Sequence, residues 1–306
     1  MRPPNVHILG LGSVGAVFSH LLRTAHPSAP LFYLSRRSLP KRTSASRDTF
    51  TIHEPLGAVK QLSIINDTNG TTPLEILLIT TKAHQTKDAL SDHSHRISKD
   101  TLVIFLQNGM GIVDSVKPIL ASTRIIQGTT VHAVYRLQNE IHWVSKGNTF
   151  FAPQPGTILT SEEDLLLGVL GEVVPDYADF ERRLFWKLAI NACINPVTAI
   201  YGVLNGKVAD IDSKEHDLSR RLTTEIQKVY AKLRPDMDMS NLVQEVIQVA
   251  RETGMNTSSM LADIQAGRKT EIDFINGYIV KMGHSVDVDV HENEAIVLKI
   301  KELGCK

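Results

Sequence analysis

"HILGLGSVGAVFSHLL", residues 7–22, is the stretch whose reading decides the fold. An apolar entry (Val6, Ile8, Leu9) leads into Gly10-x-Gly12-x-x-Gly15, and an apolar helical pattern follows. In a dinucleotide-binding strand–turn–helix unit the first glycine makes the tight turn and the second lets backbone approach a pyrophosphate. The third lets the helix pack close against the strand, and the helix N-terminus faces the phosphates. Here the pattern follows a strand and opens a helix, which is the context that gives it meaning. A glycine turn in an unrelated α/β unit is the plainer alternative.

Beyond the turn, apolar runs continue at 30–37 (PLFYLSRR), 75–82 (EILLITTK), 101–109 (TLVIFLQNG) and 124–134 (RIIQGTTVHAV). Such continuous runs suit parallel strands covered on both faces. The segment 142–153 (HWVSKGNTFFAP) reads as added antiparallel strands at the sheet edge, and the basic, serine-rich stretch 35–47 as a surface loop. After about residue 175 the texture changes to helical periods: HDLSRRLTTEIQKVYAKL, SNLVQEVIQVARET and EIDFINGYIVKMG all carry apolar residues at helical spacing. The expected architecture is therefore an α/β N-terminal Rossmann domain over 1–177 and an all-α C-terminal domain over 178–306.

With 306 residues the chain is long enough for two domains and a large core. Its formal net charge is zero, which gives no electrostatic case for nucleic acid or an anionic membrane. No apolar run approaches the ~20 residues needed to span a bilayer. The chain enters its first strand almost directly, so no signal or transit peptide is expected. Only Cys193 and Cys305 are present, which excludes a disulfide scaffold and points to a reducing compartment, the cytoplasm. His93 and His95 have a metal-ligand spacing, but they read as part of a polar loop without further ligands, so no metal is expected.

The second strand bears on which dinucleotide binds. An acid at its end would take the ribose 2′-hydroxyl of NAD, whereas an arginine accommodates the 2′-phosphate of NADP. Here the strand ends in Arg36-Arg37, with Lys41 and Arg42 nearby and no acid before Asp48. Guanidinium binds phosphate bidentately, so NADP is expected, with a solvated basic loop as the alternative.

The second half holds "FWKLAINACINPVTAIYGVLNG", 185–206, in which Lys187, Asn191 and Asn195 recur every four residues and share one helix face. A lysine and two amides among Phe185, Leu188, Ile190 and Ile194 need partners or a ligand, although a solvent-facing polar stripe has the same spacing. A further cluster, 257–279, carries Ser258, Ser259 and Glu271; either serine suits a helix cap, and the glutamate suits a first helical turn. Cys193 lies within the apolar helix and reads as buried and inert.

Taken together, these motifs resemble the ketopantoate reductase (2-dehydropantoate 2-reductase) family over nearly the full length of the chain. GLGSVG (10–15), TTKAHQ (80–85), LQNGMG (106–111) and GTTVHA (128–133) look like its successive motifs. WKLAINACINPVTAIYGVLNG (186–206) and SSMLADIQAGRKTEIDFINGYI (258–279) are the specific pair. The resemblance implies a Rossmann domain, a helical domain, a substrate cleft between them, and NADPH-dependent reduction of 2-dehydropantoate to pantoate in pantothenate and coenzyme A synthesis. It also implies that Gly10, Leu11, Gly12, Ser13, Val14 and Gly15 hold the pyrophosphate and Arg36 the 2′-phosphate. Lys82 and Asn108 would line the cofactor groove, and Val134 would touch the cofactor through its backbone. Lys187 matches the catalytic lysine and Glu271 its acidic partner, while Asn191, Asn195, Asn205, Ser259 and again Asn108 match substrate-binding positions. The match is loose over 135–170 and at 286–295, where this chain places His291.

The expected partner is a small 2-oxo acid, with no nucleic acid and no membrane, and the chain is expected to be a monomer or a homodimer. Two alternatives remain open at this point. One is a reductase or 2-hydroxy acid dehydrogenase for another substrate; the other is a non-catalytic NADP-binding sensor, which would have no need of Lys187 and Glu271.

Overall fold

A computed structural model describes residues 4–35, 47–71, 73–120 and 123–304. They form two compact units, one from Met1–Gln107 and Ile112–Phe180 and the other from Asn108–Gly111 and Glu181–Lys306. In the first unit β1 (Val6–Leu9) passes through the glycine turn into α1 (Ser13–Ala25), and β2 (Leu31–Leu34) follows. A hairpin of β3 (Arg47–His53) and β4 (Val59–Asn66) precedes β5 (Ile76–Ile79), α2 (Ala83–His93), β6 (Leu102–Phe105) and the short α3 (Ile112–Val116). The unit continues with β7 (Arg124–Thr130), β8 (Ala133–Leu137), β9 (Glu140–Ser145), β10 (Thr149–Pro153), α4 (Ser161–Leu170) and β11 (Glu172–Val173).

All these strands lie in one sheet, ordered β11-β10-β7-β6-β5-β1-β2-β4-β3-β9-β8. The six neighbours from β7 to β4 are mutually parallel. Taken in chain order, that stretch reads 3-2-1-4-5-6, the dinucleotide-binding order, and the direction of growth reverses between β1 and β5. The innermost of them were legible as near-continuous apolar runs because every residue of β1, β5 and β6 is buried.

Two features depart from the sequence reading. The run 124–134 is two strands, β7 and β8, that sit far apart in the sheet order. The hairpin β3–β4 was not anticipated at all. It buries only alternate residues, Phe50 and Ile52 from one strand and Leu62 and Ile64 from the other. That is the period-2 signature of a half-buried strand, not the continuous run of a parallel one. The segment 142–153 does add antiparallel pairs, β9 on β8 and β10 on β7, but β9 also runs parallel to β3.

The second unit is helical. It is built on α5 (Tyr177–Tyr201), which begins in the first unit, with α6 (Lys214–Leu233), α7 (Leu242–Glu252), α8 (Ser259–Gln265), α9 (Asn276–Ser285) and α10 (His291–Gly304). Leu188, Ala192, Ile226, Val229, Ile279 and Ile300 lie in its continuous core. Pro196 stands inside α5 and has no N–H for the carbonyl of Ala192 one turn earlier. The fully buried Asn276 supplies the missing donor, its Nδ2 lying 3.0 Å from that oxygen. This contact satisfies a carbonyl that would otherwise be orphaned in the core.

Candidate active site

The first unit presents a nucleotide cradle at the C-terminal ends of β1 and β5, on either side of the reversal point. Gly10 adopts φ +99°, and a Cβ there would lie 2.6 Å from the backbone nitrogen of Thr81. A Cβ on Gly15 would lie 2.4 Å from the Gly10 carbonyl oxygen and 2.6 Å from Thr80 Oγ1. Thr80 Oγ1 donates to that same carbonyl at 2.5 Å and fastens the two strand ends together. Gly12 differs: it is exposed, and a Cβ there would meet nothing within 4 Å. Only Gly12, then, leaves open room in front of the helix, while its neighbours are glycine for packing.

Helix α1 begins with neither a side-chain cap nor an acid in its first turn. Its leading N–H groups and positive dipole end are left to an anion. Its open space at Gly12 and its uncapped helix start suit the pyrophosphate expected at Gly10, Leu11, Gly12, Ser13, Val14 and Gly15. Lys82 is the N-cap residue of α2, at the end of β5. Val134 lies at a bulge in β8 and packs partly against the core of the unit. Arg36 lies outside the described residues, as do Lys41 and Arg42.

The second unit assembles the lysine site. Lys187 Nζ donates to Asn108 Oδ1 at 3.0 Å. Asn108 reaches it because Asn108–Gly111 belongs to this unit: Met110 N donates to the Phe274 carbonyl at 2.9 Å. The approach is so close that a Cβ on Gly109, itself at φ +85°, would lie 2.6 Å from that carbonyl oxygen. Lys187 keeps some surface open to solvent, yet protein atoms crowd its ammonium. Burial pushes its pKa down to about 8, against the opposing pull of the nearby Glu271 carboxylate. Glu271 itself is buried, just before the short 3-10 turn Ile272–Phe274.

The amides divide. Asn191 is half-buried, and Asn195 and Asn205 are buried. Asn205 Nδ2 donates to Thr253 Oγ1 at 3.0 Å, while its buried Oδ1 has no hydrogen-bond partner. Of the two serines, Ser258 is the cap of α8, accepting from Leu261 N at 3.1 Å and from Thr198 Oγ1 at 2.7 Å. Ser259 is exposed at the first position of α8. The thiol of Cys193 is buried, and burial pushes its pKa up to about 12, as suits an inert core cysteine.

The family models match in the same two parts: "Ketopantoate reductase PanE/ApbA" over residues 6–156 and "Ketopantoate reductase PanE/ApbA C terminal" over residues 179–304. The 2-dehydropantoate 2-reductase of Shigella flexneri is 32% identical over 243 residues, which are 77% of this chain and 76% of that protein. The chain belongs to the ketopantoate reductase family. A probable 2-dehydropantoate 2-reductase from Bacillus subtilis superposes with a TM-score of 0.79 at 25% identity, over 98% of this chain and 99% of that one. The D-mandelate dehydrogenase solved with NADH and anilino(oxo)acetate superposes at 0.81 and 19% identity, over 98% of each chain, and shares the fold. Members of the family are NADP-dependent oxidoreductases. No helix among the described residues is long and apolar enough to cross a membrane.

Within this family frame, two residues that the sequence reading passed over stand out. Arg136 on β8 lies 5.0 Å over the Phe50 ring and donates from Nη1 to the Leu11 carbonyl at 3.0 Å, bracing the glycine turn from outside. Nothing local to "YRL" marks that contact. Asn276 was within reach of sequence reasoning, since a proline inside a helical pattern implies a carbonyl needing another donor. Of the two histidines expected in a polar loop, His95 is exposed in the short 3-10 turn Ser94–Arg96, whereas His93 closes α2, fully buried, with Nε2 3.1 Å from the Ser35 carbonyl.

Proposed function

We propose that the chain reduces 2-dehydropantoate to pantoate with NADPH, with Lys187 as the residue that receives the developing charge and supplies the proton. The observation that carries this reading is the Lys187–Asn108 contact at 3.0 Å, with an ammonium whose pKa sits at about 8. A general acid works best when its pKa lies near the working pH, and a lysine reaches that range only when it is crowded.

Bound reduced nicotinamide supplies the hydride that adds to the C2 carbonyl carbon of the 2-oxo acid. As the carbon–oxygen π pair moves onto oxygen, Lys187 stabilises the oxyanion through its positive N–H. The proton then passes from Nζ to that oxygen, leaving a neutral amine that recovers its proton from solvent. Asn108 holds Nζ in position, and the Glu271 carboxylate keeps the amine protonated against the pull of burial. Asn191, Asn195, Asn205 and Ser259 offer neutral donors and acceptors for the substrate carboxylate and hydroxyl groups. Gly10 to Gly15, Lys82 and Val134 would hold the dinucleotide, and Arg36 would take its 2′-phosphate. The low cysteine content and the buried thiol of Cys193 suit a reducing, cytoplasmic setting.

The test is a panel of 2-oxo acids assayed by NADPH absorbance, with 2-dehydropantoate as one member. The expected result is the highest kcat/KM with 2-dehydropantoate. No turnover across the panel together with tight NADPH binding would overturn the reading and favour a nucleotide sensor.

A further inference from the structure

The β3–β9 edge carries two imidazoles that the reductase chemistry does not use. The strands pair in parallel, with Thr51 beside Glu140, Ile52 beside Ile141 and His53 beside His142. Ile52 and Ile141 are fully buried, so strand alternation sends His53, Glu140 and His142 together to the opposite face. There the two imidazole rings stack at 4.5 Å with an interplanar angle of 2°. Tyr135, opposite His142 on β8, covers the other side of the His142 ring at 4.7 Å.

The nitrogen atoms are the informative part. Nε2 of His53 and Nε2 of His142 are both buried, and neither has a hydrogen-bond partner. Each looks instead toward Glu140 Oε2, from 3.7 Å and 3.4 Å. Two buried imidazole nitrogens left without hydrogen bonds are costly unless something completes them. All three donor atoms lie within 4.8 Å of one another. A tetrahedral ion with bonds of about 2.0–2.1 Å sets its ligand atoms about 3.3–3.4 Å apart, close to the 3.7 and 3.4 Å that separate the two imidazole nitrogens from the carboxylate oxygen.

We propose that His53, Glu140 and His142 form a binding site for a divalent first-row transition ion of the zinc class. Two imidazole nitrogens and one carboxylate oxygen suit such an ion, whereas calcium and magnesium select all-oxygen sets. The fourth position belongs to water. Because the rings stand parallel, each must tilt out of the stack for its lone pair to converge on the ion. The ion pins the β8–β9 hairpin onto β3, joining segments far apart in the sequence, so its role is to fasten the sheet.

The experiment uses the full chain after chelator treatment. Zn²⁺ is titrated against a chromophoric chelator, thermal melting is followed with and without Zn²⁺, and the visible spectrum is recorded with Co²⁺. His53→Gln and His142→Gln are compared with the wild type, and His291→Gln controls for the separate Glu225, Asp289 and His291 cluster. NADPH binding serves as the check that each variant is folded. The expected result is one equivalent of Zn²⁺ bound, a higher Tm with Zn²⁺, and a tetrahedral Co²⁺ spectrum. Each of His53→Gln and His142→Gln should weaken Zn²⁺ by more than about tenfold and abolish the Tm shift, while His291→Gln changes neither. Absence of stoichiometric Zn²⁺ uptake by the wild type, or uptake unaltered in both His53→Gln and His142→Gln, overturns the proposal.

Discussion

The pH dependence of reduction should report Lys187 directly. Burial lowers its pKa from 10.5 to about 8, a bias of roughly 3 kcal/mol against the ammonium. The oxyanion-stabilising, proton-donating form is the ammonium, so kcat/KM for reduction should be flat below about pH 8 and then fall tenfold per pH unit. Oxidation of pantoate needs the neutral amine and should rise over the same range and level off above it. Initial rates measured by NADPH absorbance in both directions, from about pH 6 to 10, give the two profiles. Glu271 raises the lysine pKa, so Glu271→Gln should move the break to lower pH. Lys187→Ala should lose at least about a hundredfold in kcat while still binding NADPH. A reductive profile that stays flat to pH 10, or one whose break is unmoved in Glu271→Gln, would refute the assignment.

The same titration has a stability consequence of fixed sign. A lysine whose folded pKa lies below its unfolded value binds its proton more readily when unfolded, so the native state bears a cost wherever the group is charged. That cost is fully present below about pH 8 and disappears as the pH rises toward 10.5. Lys187→Met should therefore melt at a higher temperature than the wild type near pH 7, and its advantage should shrink above pH 8. An inactive variant that is more stable than its parent would show that the site carries a buried charge for chemistry and not for folding.

Two further perturbations separate packing from binding in the first unit. In Gly15→Ala the new Cβ would lie 2.4 Å from the Gly10 carbonyl oxygen, so Tm and NADPH affinity should both fall, with a stability loss of about 1–3 kcal/mol. Gly12→Ala, which meets nothing within 4 Å, should weaken NADPH by fluorescence titration while leaving Tm almost unchanged. Arg36→Ala should erode the preference for NADPH over NADH by roughly tenfold or more, the value of a lost charge-assisted phosphate contact. Equal use of both cofactors by the unaltered protein would remove Arg36 from that role.

How much of this was legible depends on whether the cause was local. The glycine turn was legible because each glycine answers a short-range demand, and the structure gives each a separate one: a left-handed φ at Gly10, open space at Gly12, helix–strand contact at Gly15. The Lys187, Asn191, Asn195 face was legible because helical spacing is a local property. The hairpin β3–β4 left a readable alternation at Phe50 and Ile52, but a search tuned to continuous apolar runs passes over it. Neither the pairing of β9 with β3 nor the Arg136–Leu11 contact has a local signature, since both join segments that only the folded sheet brings together. The histidine pair at 53 and 142 was invisible for the same reason.

Asn108 shows why position along the chain is a poor guide to a residue's working surroundings. By sequence it ends the strand run 101–109, and such a residue reads first as part of the cofactor groove. Within the structure it belongs with the helical unit, because a left-handed glycine at 109 lets Met110 bond to the Phe274 carbonyl. Its side-chain oxygen thereby becomes the acceptor that holds the lysine proton. The glycine at 109 is thus required by a side chain one residue away. A Cβ there would stand 2.6 Å from the Phe274 carbonyl oxygen, so Gly109→Ala should push this segment off Phe274 and draw the acceptor away from the lysine. A motif such as "LQNGMG" therefore encodes a single structural unit, in which the amide holds the lysine and the glycine sets where the amide stands.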